Sequence, residues 1–133
     1  MEARVKRPIL RATVFSALSL LATLSPASAA QEEDAGKVAF NNACRTCHSM
    51  KEGDNRLGPT LHGVVGRKAG SVAGYQFSSA MQSAGVAWDE ATLDKFITNP
   101  DSVVHGNAMK PFGGIADAAE RSKIINYLKT LTD

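Results

Sequence analysis

Cys44-Arg45-Thr46-Cys47-His48 sets two thiols three positions apart with an imidazole directly after the second. This spacing fits a single helical turn. Two such sulfurs can add across the two vinyl groups of a porphyrin while His48 reaches the iron from the same side, which is the signature of c-type haem attachment. A neutral imidazole nitrogen is a strong iron ligand, and its second nitrogen can be fixed by a backbone acceptor. Two other readings use the same residues. Half a zinc site would need two more ligands, drawn from His48, His62 or His105 because there is no third cysteine, at spacings that match no common zinc module. A thioredoxin-like pair belongs at a strand-to-helix junction, and no β-α-β pattern surrounds this one.

Upstream, Arg4, Lys6, Arg7 and Arg11 precede an apolar run over residues 12–24, and Pro26-Ala27-Ser28-Ala29-Ala30 offers small residues for cleavage. This reads as a secretory signal peptide over residues 1–30, cut after Ala29 or Ala30. The apolar run is shorter than the ~20 residues of a spanning helix, so no stable membrane insertion is expected after cleavage. Of the 15 Lys and Arg residues four lie in this segment, and of the 13 acidic residues one does, which leaves residues 31–133 at a net charge of −1. A nucleic acid or an anionic membrane demands a clustered basic surface, so neither is expected as a partner. Both cysteines of the chain lie in the haem motif. An oxidising compartment would also allow them to pair as a disulfide, but export together with C-x-x-C-H favours haem.

About 103 residues remain after cleavage, enough for one small domain over residues 31–133. So short a chain buries a modest core, and a large apolar cofactor at its centre would supply contact area that the side chains cannot. The spacing predicts a first helix with Asp34 as N-cap, running through Val38, Ala39 and Phe40 to the haem motif. Gly36 inside it costs ~1 kcal/mol against alanine, which points to fraying or to a close approach by another helix. Residues 50–71 are rich in Gly and read as loop. Within them the Pro59 carbonyl could receive the Nδ1–H of His48, the alternative being an ordinary turn proline. Ser78 or Ser79 can cap a short helix ended by Gly85, and Asp89 a helix with Leu93, Phe96 and Ile97 on its core face that stops near Thr98 before Pro100. Asp117 and Glu120 open a last helix in a near capping box, with Ile124, Ile125, Leu128 and Leu131 at helical spacing. No stretch alternates as a strand would. The fold class is all-α, short helices and long loops wrapped around one haem.

Residues 100–114 form a loop poor in apolar side chains that contains Met109, and a thioether on such a loop can be the sixth iron ligand. Met81 on the short helix and His105 in the same loop compete for that role.

From residue 36 to 131 the chain resembles class I cytochromes c of the mitochondrial and bacterial cytochrome c2 type. The resemblance is carried by Gly36 and Phe40, the Cys44 to His48 motif, Gly58-Pro59, Leu61-His62-Gly63 and Gly66-Arg67-Lys68-Ala69-Gly70. It continues through Gly85 to Trp88, Thr92-Leu93, Asn99-Pro100, Gly106, Met109, Phe112-Gly113-Gly114 and Tyr127-Leu128-Lys129. It implies one haem c bound through Cys44 and Cys47, iron ligation by His48 and Met109, and orientation of His48 by Pro59. Arg67 and Trp88 would hold one haem propionate, and Asn107 would stand near the other where relatives usually carry threonine. Gly36 and Phe40 would meet the C-terminal helix near Ile124 and Tyr127.

The departures from the family pattern are equally specific. Phe77 and Phe96 stand where relatives commonly have tyrosines, Lys110 is an extra residue after Met109, and Asp101, Ser102 and Ala108 replace lysines around the haem edge. The resemblance implies a soluble, monomeric, periplasmic electron carrier rather than an enzyme. Its partners would be redox proteins: membrane cytochrome complexes, oxidases or periplasmic dehydrogenases. A dedicated haem subunit of one dehydrogenase is the alternative. A haem enzyme or gas sensor is a third reading, and would need an open sixth position, with His105 as the available polar residue.

Overall fold

The computed structural model describes residues 26–131. Arg4, Lys6, Arg7, Arg11 and the apolar run of the expected export segment lie outside them. The described chain has five helices: α1 Pro26–Ala43, α2 Ser79–Gln82, α3 Glu90–Thr98, α4 Pro100–Val103 and α5 Ala118–Lys129. Among the described residues extended pairing is limited to one antiparallel bridge, Lys68 with Ala87. The all-α expectation is met.

Asp34 does not cap α1, because the helix begins upstream of it. Ala27, Ala29, Ala30, Gln31, Glu32 and Glu33 are good helix formers, and nothing between Pro26 and Asp34 breaks the run. Residues 28–35 are all exposed, and Gly36 is the first buried position among the α1 residues whose burial is described. There α1 crosses α5: a Cβ on Gly36 would lie 2.7 Å from both the Lys123 carbonyl oxygen and the Tyr127 Cβ. The missing side chain is what allows the contact. One turn on, Phe40 is buried and its ring sits 5.7 Å from that of Tyr127.

The capping residues read from sequence explain the starts of α2, α3 and α5. Ser78 accepts from the Met81 amide, and α2 ends at Gln82, before Gly85. Asp89 accepts from the Thr92 amide at the head of α3, whose Leu93, Phe96 and Ile97 are buried. Asp117 accepts from the amides of Ala119 and Glu120, but Glu120 turns to Lys123 at 3.0 Å, so only half of a capping box is seen. The helix α4 was not expected. Asn99 is extended (φ −157°), its side chain takes the Asp101 amide, and Pro100 supplies the fixed φ of a first helical position.

The core joins Ala39 and Phe40 of α1, Leu93, Phe96 and Ile97 of α3, and Ile124, Ile125 and Leu128 of α5 to Val64, Ala69, Trp88 and Val104 from the loops. Arg121 ties α5 to α3: its guanidinium donates to Asp94 at 2.7 Å and to the carbonyls of Ile115 and Ala116 at 3.0 and 2.8 Å. The crossing at Gly36 sets two effects in opposition. Alanine would gain ~1 kcal/mol of helix propensity, whereas forcing a methyl into a filled contact costs about 1–3 kcal/mol. Gly36→Ala should therefore lower the stability of the haem-loaded protein in urea denaturation, and a gain would mean that α1 and α5 lie further apart than this.

Candidate haem site

The last turn of α1 delivers the cysteine motif. The Cys44 amide donates to Phe40 O at 2.8 Å, and the Cys47 and His48 amides both donate to Cys44 O, at 3.1 and 3.0 Å. This near-helical turn keeps Cys44, Cys47 and His48 within one local cluster. Both cysteines are half-buried free thiols. Burial, and then the neighbouring Cys47, pushes the Cys44 thiol up to about 11, so it is neutral at ordinary pH.

His48 is buried, 6% exposed, and its Nδ1 lies 2.8 Å from Pro59 O. A carbonyl can only accept, so Nδ1 carries the hydrogen and Nε2 is left with a lone pair. Burial lowers the pKa of His48 below its ordinary value and the positive charge of Arg67 lowers it further, against the opposite pull of the Pro59 carbonyl. The ring is held neutral, in the tautomer a metal requires. Gly58 lies flat against it: a Cβ there would collide with Cε1 and stand 2.7 Å from Nδ1. The loop is locked in that position, since the Gly58 amide donates to Cys47 O at 2.8 Å and Leu61 N to Ser49 O at 2.9 Å. Thr60, buried, adds a hydroxyl bond to Lys51 O at 2.8 Å.

Arg67 and Trp88 are brought together by their backbones: Trp88 N donates to Arg67 O and Gly66 N to Trp88 O, each at 2.9 Å. The Arg67 guanidinium donates to His62 O at 2.8 Å and Thr60 O at 2.9 Å, which fastens the chain just after Pro59. The Trp88 ring packs on Phe96 with centroids 4.8 Å apart.

Met109 is half-buried against the core, as is Met81 on α2, whereas His105 is exposed. Asn107, the residue read as a neighbour of a propionate, is held by groups of its own loop and of α4. It is buried, and its amide nitrogen donates to Asp101 Oδ1 at 2.8 Å and Val104 O at 2.9 Å, while its Oδ1 accepts the Met109 amide at 3.0 Å. Both amide hydrogens are thus directed at protein acceptors, and a propionate contact would displace one of them. Sequence reasoning missed the partner, Asp101, which is itself paired with Lys110 at 2.6 Å. The hydrogen bond from Lys110 holds the Asp101 carboxyl below the usual range against the opposing effect of desolvation, with the charges of Lys110 and His105 and the Asn107 amide adding to the lowering.

The residues suit haem. Two thiols three apart adjoin a neutral imidazole with a directed lone pair, and Cys44 packs half-buried against the same core as the apolar side chains of Met50, Leu61, Val65 and Phe112. Among the described residues no three His, Cys, Asp or Glu side chains converge on a common point as a zinc site needs, and no strand runs into the motif as a thioredoxin-like pair needs.

The family profile described as Cytochrome c matches residues 33–132. Cytochrome c2 iso-2 of Magnetospirillum fulvum is 46% identical over 88 residues, 66% of this chain and 91% of that one. Cytochrome c of Euglena viridis is 41% identical over 102 residues, covering 77% and 99%. Among solved structures, cytochrome cH from Methylobacterium extorquens superposes with a TM-score of 0.68 at 43% identity, covering 74% of this chain and 97% of that one. The chain therefore belongs to the cytochrome c family of haem-containing electron carriers, and Cys44 and Cys47 are the pair through which it binds haem c covalently.

Proposed function

We propose that this cytochrome is an exported, periplasmic one-electron shuttle, formed by residues 31–133, whose iron is ligated by His48 Nε2 and Met109 Sδ. The observation that carries the reading is the 2.8 Å contact of His48 Nδ1 with Pro59 O, which leaves Nε2 as the metal-facing atom. The bound haem supplies the redox chemistry, its iron alternating between ferric and ferrous. The protein's own part is to hold still. Cys44 and Cys47 tether the ring, Pro59 and Gly58 fix the plane of His48, and the Asn107 side chain seats the Met109 backbone. Arg67 and Trp88, side by side through their backbones, are the donors offered to a propionate. Two strong ligands on fixed elements keep the geometry constant across the redox change, and no general base or open position is needed.

Export accords with where α1 is buried. A cut after Ala29 or Ala30 removes only exposed positions among those whose burial is described, and it keeps Gly36, Ala39 and Phe40 on α5. No helix among the described residues is long and apolar enough to cross a membrane. The partners are other redox proteins, met as a monomer.

Ferric protein carrying haem should display the weak red charge-transfer band of sulfur-to-iron ligation. Met109→Ala is expected to abolish that band and Met81→Leu to retain it, and the reverse result would move the sixth ligand to α2. A second expectation follows from charge. At a net −1, and with Asp101, Ser102 and Ala108 in the 100–114 loop, long-range steering is weak and is screened within about 8–10 Å at ordinary ionic strength. Stopped-flow electron transfer with the isolated native partner should change by less than about threefold between low and moderate salt. A steep fall with salt would reveal a clustered basic docking face.

A further inference from the structure

The loop that carries Met109 has little apolar material to hold it. His105, Gly106, Ala108, Lys110 and Pro111 are all exposed. Two of its side chains nevertheless converge on one carboxylate. Asp101, at the start of α4, accepts the Asn107 amide on Oδ1 at 2.8 Å and the Lys110 ammonium on Oδ2 at 2.6 Å. Asn107 passes the constraint on, taking the Met109 amide on its Oδ1 at 3.0 Å and reaching the buried Val104 through its carbonyl at 2.9 Å. Asn107, two residues before the methionine, and Lys110, directly after it, are thereby tied to α4, whose Pro100 is buried. Asp101, Asn107 and Lys110 form this single network.

We propose that Asp101 and Lys110 are positioning residues that brace the Met109 loop closed, acting through Asn107 to hold the thioether at the iron and to slow its replacement by an outside ligand. This rests on the reading of Met109 as the sixth ligand. The two halves of the brace differ in weight. The Lys110 pair is exposed, with side chains 56% and 45% accessible, and pairs of that kind contribute little singly. The Asp101 to Asn107 bond holds a buried amide, and losing the acceptor leaves a buried donor unpaired. A loop held by few apolar contacts opens locally without global unfolding, so its opening rate is where such bonds register.

The test is ligand exchange on the ferric holoprotein. At saturating imidazole the rate at which the red band disappears is the rate at which Met109 leaves. Lys110→Ala should raise that rate by roughly twofold to threefold, and Asp101→Asn, which keeps an oxygen for Asn107 but not the charge, should match it. Asp101→Ala should raise it by roughly fivefold to twentyfold, and Asp101→Ala combined with Lys110→Ala should be no faster than Asp101→Ala alone, since the lysine then has nothing to hold. Lys123→Ala, which removes an equal charge from a pair with Glu120 on α5, should leave the rate at the wild-type value. Unchanged exchange in Asp101→Ala, simple multiplication of the two single effects, or an equal acceleration by Lys123→Ala would each overturn the brace. Failure of the ligand reading would look different: the wild-type ferric protein would lack the band before imidazole is added, or Met109→Ala would retain it.

Discussion

The hydrogen bond from His48 Nδ1 to the Pro59 carbonyl fixes more of this molecule than any other single contact. It is 2.8 Å long, it belongs to a buried ring, and it decides which ring nitrogen keeps a lone pair. A neutral imidazole with its plane and tautomer set is already organised for a metal, so little reorganisation remains when the iron changes charge. The long loop after α1 makes sense as the support of that one bond. Gly58 lets the chain lie on the ring, Thr60 and Ser49 close the loop on itself, and Arg67 clamps the carbonyls of Thr60 and His62 from behind.

The helices serve to present the motif to that loop. α1 ends directly before Cys44, and its position is set by the crossing with α5 at Gly36 and the contact of Phe40 with Tyr127. α5 is in turn anchored to α3 by Arg121 and Asp94 and by the packing of Ile124, Ile125 and Leu128. In a chain of this size such a core is small. A covalent haem held by Cys44 and Cys47 would add apolar contact that the side chains do not supply, which would make the cofactor part of the fold as well as of the function.

Where one residue type answers one physical need, the structure was legible in advance. Two cysteines and a histidine at fixed spacing, a carboxylate at the head of α3 and of α5, and a glycine inside an otherwise good helix each have few explanations. The start of α1 was misread because Asp34 is a good cap and an acceptable helix residue alike, and an upstream run rich in alanine decides between these only through its continuity. The helix α4 was missed because an extended Asn99 lets a new helical turn begin directly after α3. The hydrogen bonds of Asn107 were not legible for a further reason. Position alone places an amide near a cofactor, but which acceptors its hydrogens choose depends on Asp101, six residues earlier and on another element. Arg121 was invisible for the same cause, since its partners become neighbours only when α5 docks.

The central claim is that the protein fixes His48 as an Nδ1–H tautomer bonded to the Pro59 carbonyl, leaving Nε2 for iron. The direct measurement is nitrogen and proton NMR of the reduced, haem-loaded protein with labelled histidine. The account predicts that His48 Nδ1 carries a proton that exchanges with solvent far more slowly than that of a free imidazole, and that Nε2 carries none. A rapidly exchanging Nδ1 proton, or a proton found on Nε2, would contradict it.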